Sequence, residues 1–238
     1  MSNLERKAEF YGAGYPYTQP LELQGKLIVL EGNDGVGRTT QIQLLRQWLE
    51  GEGYAVSDTG LKRSNLTQPG LKGAKEGHTF SPLTMSLFYA TDFSDRLERQ
   101  IIPALKAGFV VLSDRYFFSI IARDVVRGAD PLWARKLYGF ALIPDIVLYL
   151  RASINSLVTR VIHGRGLDYW EAGMDIRCAD NLYDSFLVYQ ANLQEQFDIM
   201  AEEYGFTTIN ADQPSAIIFK ELQDKISHLF TDQQQPSP

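Results

Sequence analysis

The sequence predicts an α/β protein: a doubly wound, five-stranded parallel sheet with helices on both faces and a short lid. Three observations predict it. Five short apolar runs alternate with stretches of helical period. The clearest runs, Leu27-Ile28-Val29-Leu30 and Asp145–Leu150, are near-continuously apolar, as strands buried on both faces require. The first run passes through a glycine-rich turn straight into a helix, Glu31-Gly32-Asn33-Asp34-Gly35-Val36-Gly37-Arg38-Thr39-Thr40.

The elements follow in order. Residues Met1 to Leu23 are mixed and turn-rich, and read as an arm in which Phe10, Tyr11, Tyr15 and Tyr17 pack on the domain. Lys26–Glu31 is the first strand. Thr39–Gly51 is a helix, with Ile42, Leu45, Trp48 and Leu49 on one face. Tyr54–Asp58 is the second strand, and Lys62–His78, with its Gly, Lys, Asn and Pro, reads as loop. Ser81-Pro82 opens a long helix running to about Lys106, since Ser caps well and Pro suits the first helical position. Phe109–Leu112 is the third strand and leads into Ser113-Asp114-Arg115-Tyr116 and a helical stretch. Asp130-Pro131 starts a helix through Leu142, and Asp145–Leu150 is the fourth strand. Ser153–His163 reads as helix, His163–Gly173 as a polar loop, and Asp175–Tyr204 as a long helix. Phe206–Ile209 is the fifth strand and Ser215–Phe230 the closing helix. The expected organisation is an arm over 1–24, one domain over 25–231 with its lid near 160–174, and a disordered tail over 232–238.

Composition narrows the function. The chain has 238 residues, 45% of them hydrophobic, enough for one well-buried core. Its net charge of -6 argues against nucleic acid or an anionic membrane surface as the main partner. Cys178 is the sole cysteine and reads as an inert thiol. No run of about 18 apolar residues offers a membrane span. The N-terminus lacks an apolar signal core, so the cytoplasm is expected.

The chemistry sits beyond the strand ends. Glycines after a strand let backbone N–H groups converge on phosphate oxygens, and the helix opening at Thr39 adds its positive end. Asp34, Gly35, Val36, Gly37, Arg38, Thr39 and Thr40 are therefore the candidate phosphate-binding residues. The Thr39 hydroxyl is placed to ligate Mg²⁺, and Thr40 to help with an α-phosphate. The usual pattern ends Gly-Lys-Ser/Thr; here position 38 is Arg, a planar fork where a compact ammonium is expected. Asp114, at the end of a neighbouring strand, can hold Mg²⁺ through water or take a proton, and Arg115 can bridge phosphates.

With these motifs the chain resembles the thymidylate kinase family. The resemblance rests on Leu30-Glu31-Gly32-x-Asp34-Gly35-x-Gly37-x-Thr39-Thr40-Gln41, Ile102-Pro103-Ala104-Leu105, Leu112-Ser113-Asp114-Arg115-Tyr116, and Pro144-Asp145 through Leu150, over roughly Lys26 to Phe230. It implies the phosphate-loop kinase fold, ATP with Mg²⁺ as donor, a nucleoside monophosphate as acceptor, and a homodimer. Carried over, Arg38, Asp114 and Arg115 are catalytic, and Thr39 and Asp114 organise the metal. Asp34, Tyr89, Arg96, Arg115 and Tyr116 meet the acceptor, and Arg160 and Arg165 serve phosphates from the lid.

Four departures stand out. Arg38 replaces the loop Lys. The family's Arg-Glu-Pro-Gly gives way to Asp58-Thr59-Gly60-Leu61-Lys62-Arg63. Counted back without gaps from Pro103, its base-reading Phe-Ala-Ala-Asp-Arg becomes Tyr89-Ala90-Thr91-Asp92-Phe93, with Arg96 or Arg63 as stand-ins for the lost Arg. The lid's Asp-Arg-x-Glu becomes Asp168-Tyr169-Trp170-Glu171. The expectation is a kinase for dTMP or a related monophosphate. The alternatives are a kinase for another small acceptor, or a nucleotide-binding protein with little phosphoryl transfer.

Overall fold

The computed structural model describes residues 6–17, 21–61, 63–77 and 80–230. Two short strands, β1 (Arg6–Lys7) and β2 (Glu22–Leu23), pair antiparallel beside the main domain. Then follow β3 (Lys26–Gly32), α1 (Arg38–Gly51), β4 (Val56–Gly60), α2 (Gln68–Gly77) and α3 (Pro82–Arg96). A π-helical turn, Leu97–Ile101, leads into α4 (Ile102–Lys106), β5 (Val110–Asp114), α5 (Phe117–Val126) and α6 (Pro131–Leu137). The chain ends with β6 (Ile146–Arg151), α7 (Ile154–His163), α8 (Leu182–Tyr204), β7 (Thr207–Asn210) and α9 (Ser215–Ser227).

The five-stranded sheet runs β4-β5-β3-β6-β7, every pair parallel. Alternation along β3 explains its two-sided burial. Leu27 and Val29 enter one core with residues of α3, α5 and α8, while Ile28 and Leu30 enter a second with residues of α1 and α9. Each such buried side chain contributes about 1.5–3 kcal/mol from burial. Because β3 lies between β5 and β6, the register sets Leu30 opposite Asp114. The glycine-rich turn and the Asp114-Arg115 pair therefore leave the sheet side by side, where open α/β sheets place their ligands.

The arm behaves in part as expected. The Tyr11 ring packs edge-on against Phe117 at 5.3 Å and against Tyr204 at 5.4 Å. Phe10 bridges Leu142, but Tyr17 is 88% exposed and does not join the core. Residues 1–5, 18–20 and the expected tail lie outside the described residues.

Four local readings differ. The helix expected from Asp130 through Leu142 ends at Leu137, and Leu142 pairs with Phe10 instead. Part of the expected loop 62–78 is α2, where Leu71 and Ala74 are buried and Gly70 lies against the Phe88 ring; tertiary packing overrides the poor propensity of its glycines. The long helix from Pro82 is interrupted by the π turn, which absorbs one extra residue. The helix expected from Asp175 begins only at Leu182. There Asn181 caps it, its side chain accepting from the Asp184 N–H, and turns occupy 164–181. Among the described residues, no helix is long and apolar enough to cross a membrane.

Candidate active site

The loop between β3 and α1 is shaped by its glycines. Gly32 has φ 141°, and a Cβ there would sit 2.4 Å from the Leu150 carbonyl. Gly37, at φ 99°, caps α1 and has open space where a Cβ would be. The cleft beside the loop measures about 450 Å³ and is lined by Asp34, Gly35, Gly37, Arg38, Thr39, Thr40, Asp114 and Arg115. Val36 lies instead in the second core.

Arg38 does more inside the protein than the sequence suggested. Its Nη1 donates to the Gly32 carbonyl at 2.5 Å and the Asn33 carbonyl at 2.6 Å, and its Nε donates to Asp114 Oδ1 at 2.9 Å. The planar fork reaches back under the loop, ties two of its carbonyls to the strand-end acid, and still lines the cleft.

Asp114 also accepts from the Thr39 hydroxyl at 2.8 Å. Burial pushes its carboxyl up, but Arg38, then Arg115 and the Thr39 bond, outweigh this and hold it below the usual range. An ionised carboxylate beside a hydroxyl is a set of hard oxygens of the kind that suits Mg²⁺. Among the described residues no cluster of three or more His, Cys, Asp or Glu forms an all-protein metal cage.

Asp34 is the charge centre on the loop's other side. It accepts from Arg115 Nη2 and, at 3.2 Å, from Arg123 Nη2. Its burial raises the carboxyl, yet Arg115, Arg123 and Arg38 overcome that and drive it far below the ordinary value. Arg115 is pushed down to about 10, by burial first and then by Arg38, with Asp34 opposing. Its backbone is left-handed, φ 74°, held by its N–H to the Leu30 carbonyl at 3.0 Å and by Ser113 Oγ donating to its carbonyl at 2.6 Å. Such a conformation costs a non-glycine residue about 1–3 kcal/mol, and it aims the guanidinium at the loop. Glu31 fastens this corner: it accepts from the Tyr116 N–H at 2.7 Å and the Ser119 N–H at 3.2 Å at the start of α5.

A second cleft of about 660 Å³ opens beside the first. The two share Leu61, Arg123, Arg165 and Glu171. Tyr89 and Ile120 supply flat and apolar walls to it. The segment 164–181 covers it and is tied down by Arg127, which donates to Asp175 Oδ2 at 2.8 Å, to the Trp170 carbonyl at 3.2 Å and to the Tyr189 hydroxyl. Gln190 links the same segment to the loop, donating to the Glu171 carbonyl at 2.8 Å and accepting from Asn33 Nδ2 at 3.0 Å.

The structure brings Asp34, Arg38, Thr39, Thr40, Asp114 and Arg115 together in one cleft, with Tyr89 and Arg165 in the adjoining one. Others fall elsewhere. Tyr116 is fully buried in the core, its hydroxyl donating to the Leu142 carbonyl at 2.9 Å. Arg96 is fully buried on Asp92 at 2.9 Å, and Asp92 in turn receives the Ser64 N–H, so the pair fastens the 63–67 loop. Arg160 donates to the carbonyls of Val36 and Ala211, bracing the loop from behind. Arg63 pairs with Asp58 at 2.7 Å at the rim of the phosphate cleft. Phe93 packs against Tyr116 and Tyr138 and is fully buried. The ungapped count from Pro103 runs across the π turn, and it lands on a residue that does not line the cleft.

Sequence reasoning missed Arg123, Arg127 and Gln190. A signal for the arginines was present. Arg115, Ser119, Arg123 and Arg127 recur every fourth residue, one stripe along α5 and its flanks. No local signal marks Gln190.

The described geometry agrees with the comparisons. The family model described as "Thymidylate kinase" matches residues 30–222. The chain belongs to the thymidylate kinase family. It is 40% identical over 194 residues to a protein named "Probable thymidylate kinase 2" of Saccharolobus solfataricus, an alignment covering 81% of this chain and 91% of that one. It is 37% identical to the "Probable thymidylate kinase" of Thermococcus gammatolerans, over 60% of this chain and 73% of the other. It is 29% identical to the "Thymidylate kinase" of Clavibacter sepedonicus, over 84% of this chain and 94% of the relative. Membership makes the chain a phosphotransferase of the ATP-using nucleoside monophosphate kinase type.

Proposed function

We propose that the chain transfers the γ-phosphoryl group of ATP to the phosphate of dTMP, giving ADP and dTDP. The observation that carries this reading is the junction of the two clefts at Arg123 and Arg165. A donor phosphate in the loop and an acceptor phosphate in the neighbouring cleft meet between these two cations. The chemistry needs no covalent enzyme intermediate, because positioning and charge stabilisation suffice for phosphoryl transfer. The loop N–H groups and the first turn of α1 hold the donor phosphates. Arg115 and Arg123 fix the acceptor phosphate, with Asp34 keeping both guanidinia aimed. Thr39 and Asp114 would hold Mg²⁺, which would supply positive charge against the donor phosphates. Arg38 acts by placing Asp114 and the loop carbonyls. Arg165, paired with Glu171, is delivered by the 164–181 segment acting as a lid. Tyr89 stacks on the base. By family resemblance the working form is a homodimer.

One observation favours a second reading, a nucleotide-binding protein with little transfer: the Arg38 fork is engaged by protein oxygens where the family places a phosphate-spanning lysine. Release of ADP from Mg-ATP, measured against dTMP, dUMP, dCMP, AMP and GMP, separates the two. Release with dTMP is expected. ATP binding without release on any acceptor would establish the second reading.

A further inference from the structure

The cations around the phosphates come from separate pieces of chain. Arg165 reaches the junction of the two clefts from the 164–181 segment, while Arg115 and Arg123 come from the end of β5 and from α5. Some group has to fix the first piece to the second, because phosphoryl transfer depends on where each charge stands.

Gln190 is placed to do so. It lies on α8, is fully buried and lines neither cleft. Its Nε2 donates to the Glu171 carbonyl at 2.8 Å and to Asp34 Oδ2 at 3.3 Å. Its Oε1 accepts from Asn33 Nδ2 at 3.0 Å and from the Asp34 N–H at 3.3 Å. Both donor hydrogens and both acceptor sites of the carboxamide are used. Turning the amide over would set donor against donor and acceptor against acceptor, so one orientation is fixed. A buried polar group satisfied on every side holds its partners rigidly.

On the lid side, Glu171 carries the constraint to Arg165. Asp168 Oδ1 accepts from the N–H groups of Trp170 at 2.9 Å and Glu171 at 3.1 Å, closing a tight turn. The Glu171 carboxylate accepts from Arg165 Nη1 at 2.9 Å and also from its Nη2, a two-pronged pair that fixes direction as well as distance. On the loop side, Asp34 holds Arg115 and Arg123. Arg127 fastens another part of the segment, at the Trp170 carbonyl and Asp175.

We propose that Gln190 is a positioning residue for the transfer: its amide locks the turn of Glu171 onto Asp34 and so sets the distance between Arg165 and the Arg115–Arg123 pair. The inference rests on the transfer reading above and deepens it. Gln190 touches no substrate and acts through Arg165.

The test is a double-mutant cycle read in the single-turnover rate of dTMP phosphorylation. Gln190→Met keeps the length of the side chain and removes the amide. It is expected to lower the rate roughly tenfold to a hundredfold, the cost of misplacing a group by about 1 Å, with ATP affinity within about twofold of wild type. Arg165→Met lowers the rate as well. The double variant is expected within about twofold of Arg165→Met alone, because no lid cation is left to place. A merely structural role lowers Tm but does not produce this non-additivity. Losses that multiply, or an unchanged rate in Gln190→Met, overturn the proposal. Turnover of dTMP by the wild type tests the underlying function separately, and hydrogen exchange in the free protein reads the bridge with no acceptor present. Amides of 168–172 are expected to exchange about tenfold faster in Gln190→Met than in wild type, the loss of one net hydrogen bond, and equal exchange overturns the proposal. If Gln190→Met does not fold, Gln190→Asn, one methylene short of the Glu171 carbonyl, takes its place in both measurements with the same expectations.

Discussion

Replacing Arg38 by Ala tests whether this residue braces the loop or only serves the transferring phosphoryl. In the structure its guanidinium joins Asp114 at 2.9 Å and the carbonyls of Gly32 and Asn33 at 2.5 and 2.6 Å. Both partners of the ion pair are largely buried, 9% and 14% exposed at the side chain, so solvent screening is slight. Removing one member of a buried pair costs about 3–5 kcal/mol, because the other charge is left without its partner. For a chain of 238 residues each kcal/mol moves Tm by about 2–4 °C, so the expected fall is about 6–20 °C. Arg38→Lys keeps the charge, but one ammonium cannot serve the carboxylate and both carbonyls in the fork's geometry, so roughly half of that loss is expected. Thermal unfolding without nucleotide, followed by kcat and KM for ATP, makes the measurement. The reasoning fails if Arg38→Ala unfolds within about 2 °C of wild type while kcat collapses. That pattern would put the guanidinium on the phosphoryl group alone.

The other predictions follow from burial and from the lid's attachments. Phe93→Arg inserts a charge among Tyr116, Phe117, Tyr138 and Phe140 and should cost at least the 3–5 kcal/mol or so of a large core deletion; a well-folded variant with a lower KM for dTMP would restore the ungapped register. Arg127→Gln should release the 164–181 segment, giving faster limited proteolysis there and a higher KM for dTMP, and unchanged cleavage would show that Arg127 is not its tether. Asp124 has a raised carboxyl in the fold, so its contribution to stability is full below about pH 4 and is lost as pH rises through about 6. Wild type should therefore lose up to about 3 kcal/mol relative to Asp124→Asn between pH 4 and 7, read from urea midpoints. A constant difference would place the carboxyl at its ordinary value.

The fold was legible because its signals are short-range. Apolar runs such as Leu27–Leu30, the glycine-rich turn that leads into α1 and the Ser81-Pro82 start each act through a few neighbouring residues. The positions of the glycine-rich loop and of Asp114-Arg115 were legible for the same reason, since both lie at strand ends. What was not legible depends on packing across the chain. α2 exists because Leu71 and Ala74 find a surface, against the propensity of Gly70 and Gly73. The π turn breaks the even helical count between Phe93 and Pro103, and no composition rule announces it. Arg96 and Tyr116 looked available and are core, because Asp92 and the Leu142 carbonyl claim them. Arg123 was within reach, as the fourth-residue stripe from Arg115 shows. Gln190 is over 150 residues from the loop it holds and could be found only in three dimensions.

The central claim is that the two clefts are halves of one transfer site. The most direct measurement is titration calorimetry with adenosine and thymidine joined through five phosphates, repeated in the presence of saturating ATP or dTMP and with Arg123→Met. The account predicts one molecule bound per chain, competition by both nucleotides, and at least tenfold weaker binding by Arg123→Met, the loss of one charged contact at the junction. Competition by ATP alone, with affinity indifferent to Arg123, would mean that the acceptor cleft is not joined to the donor loop and would contradict the account.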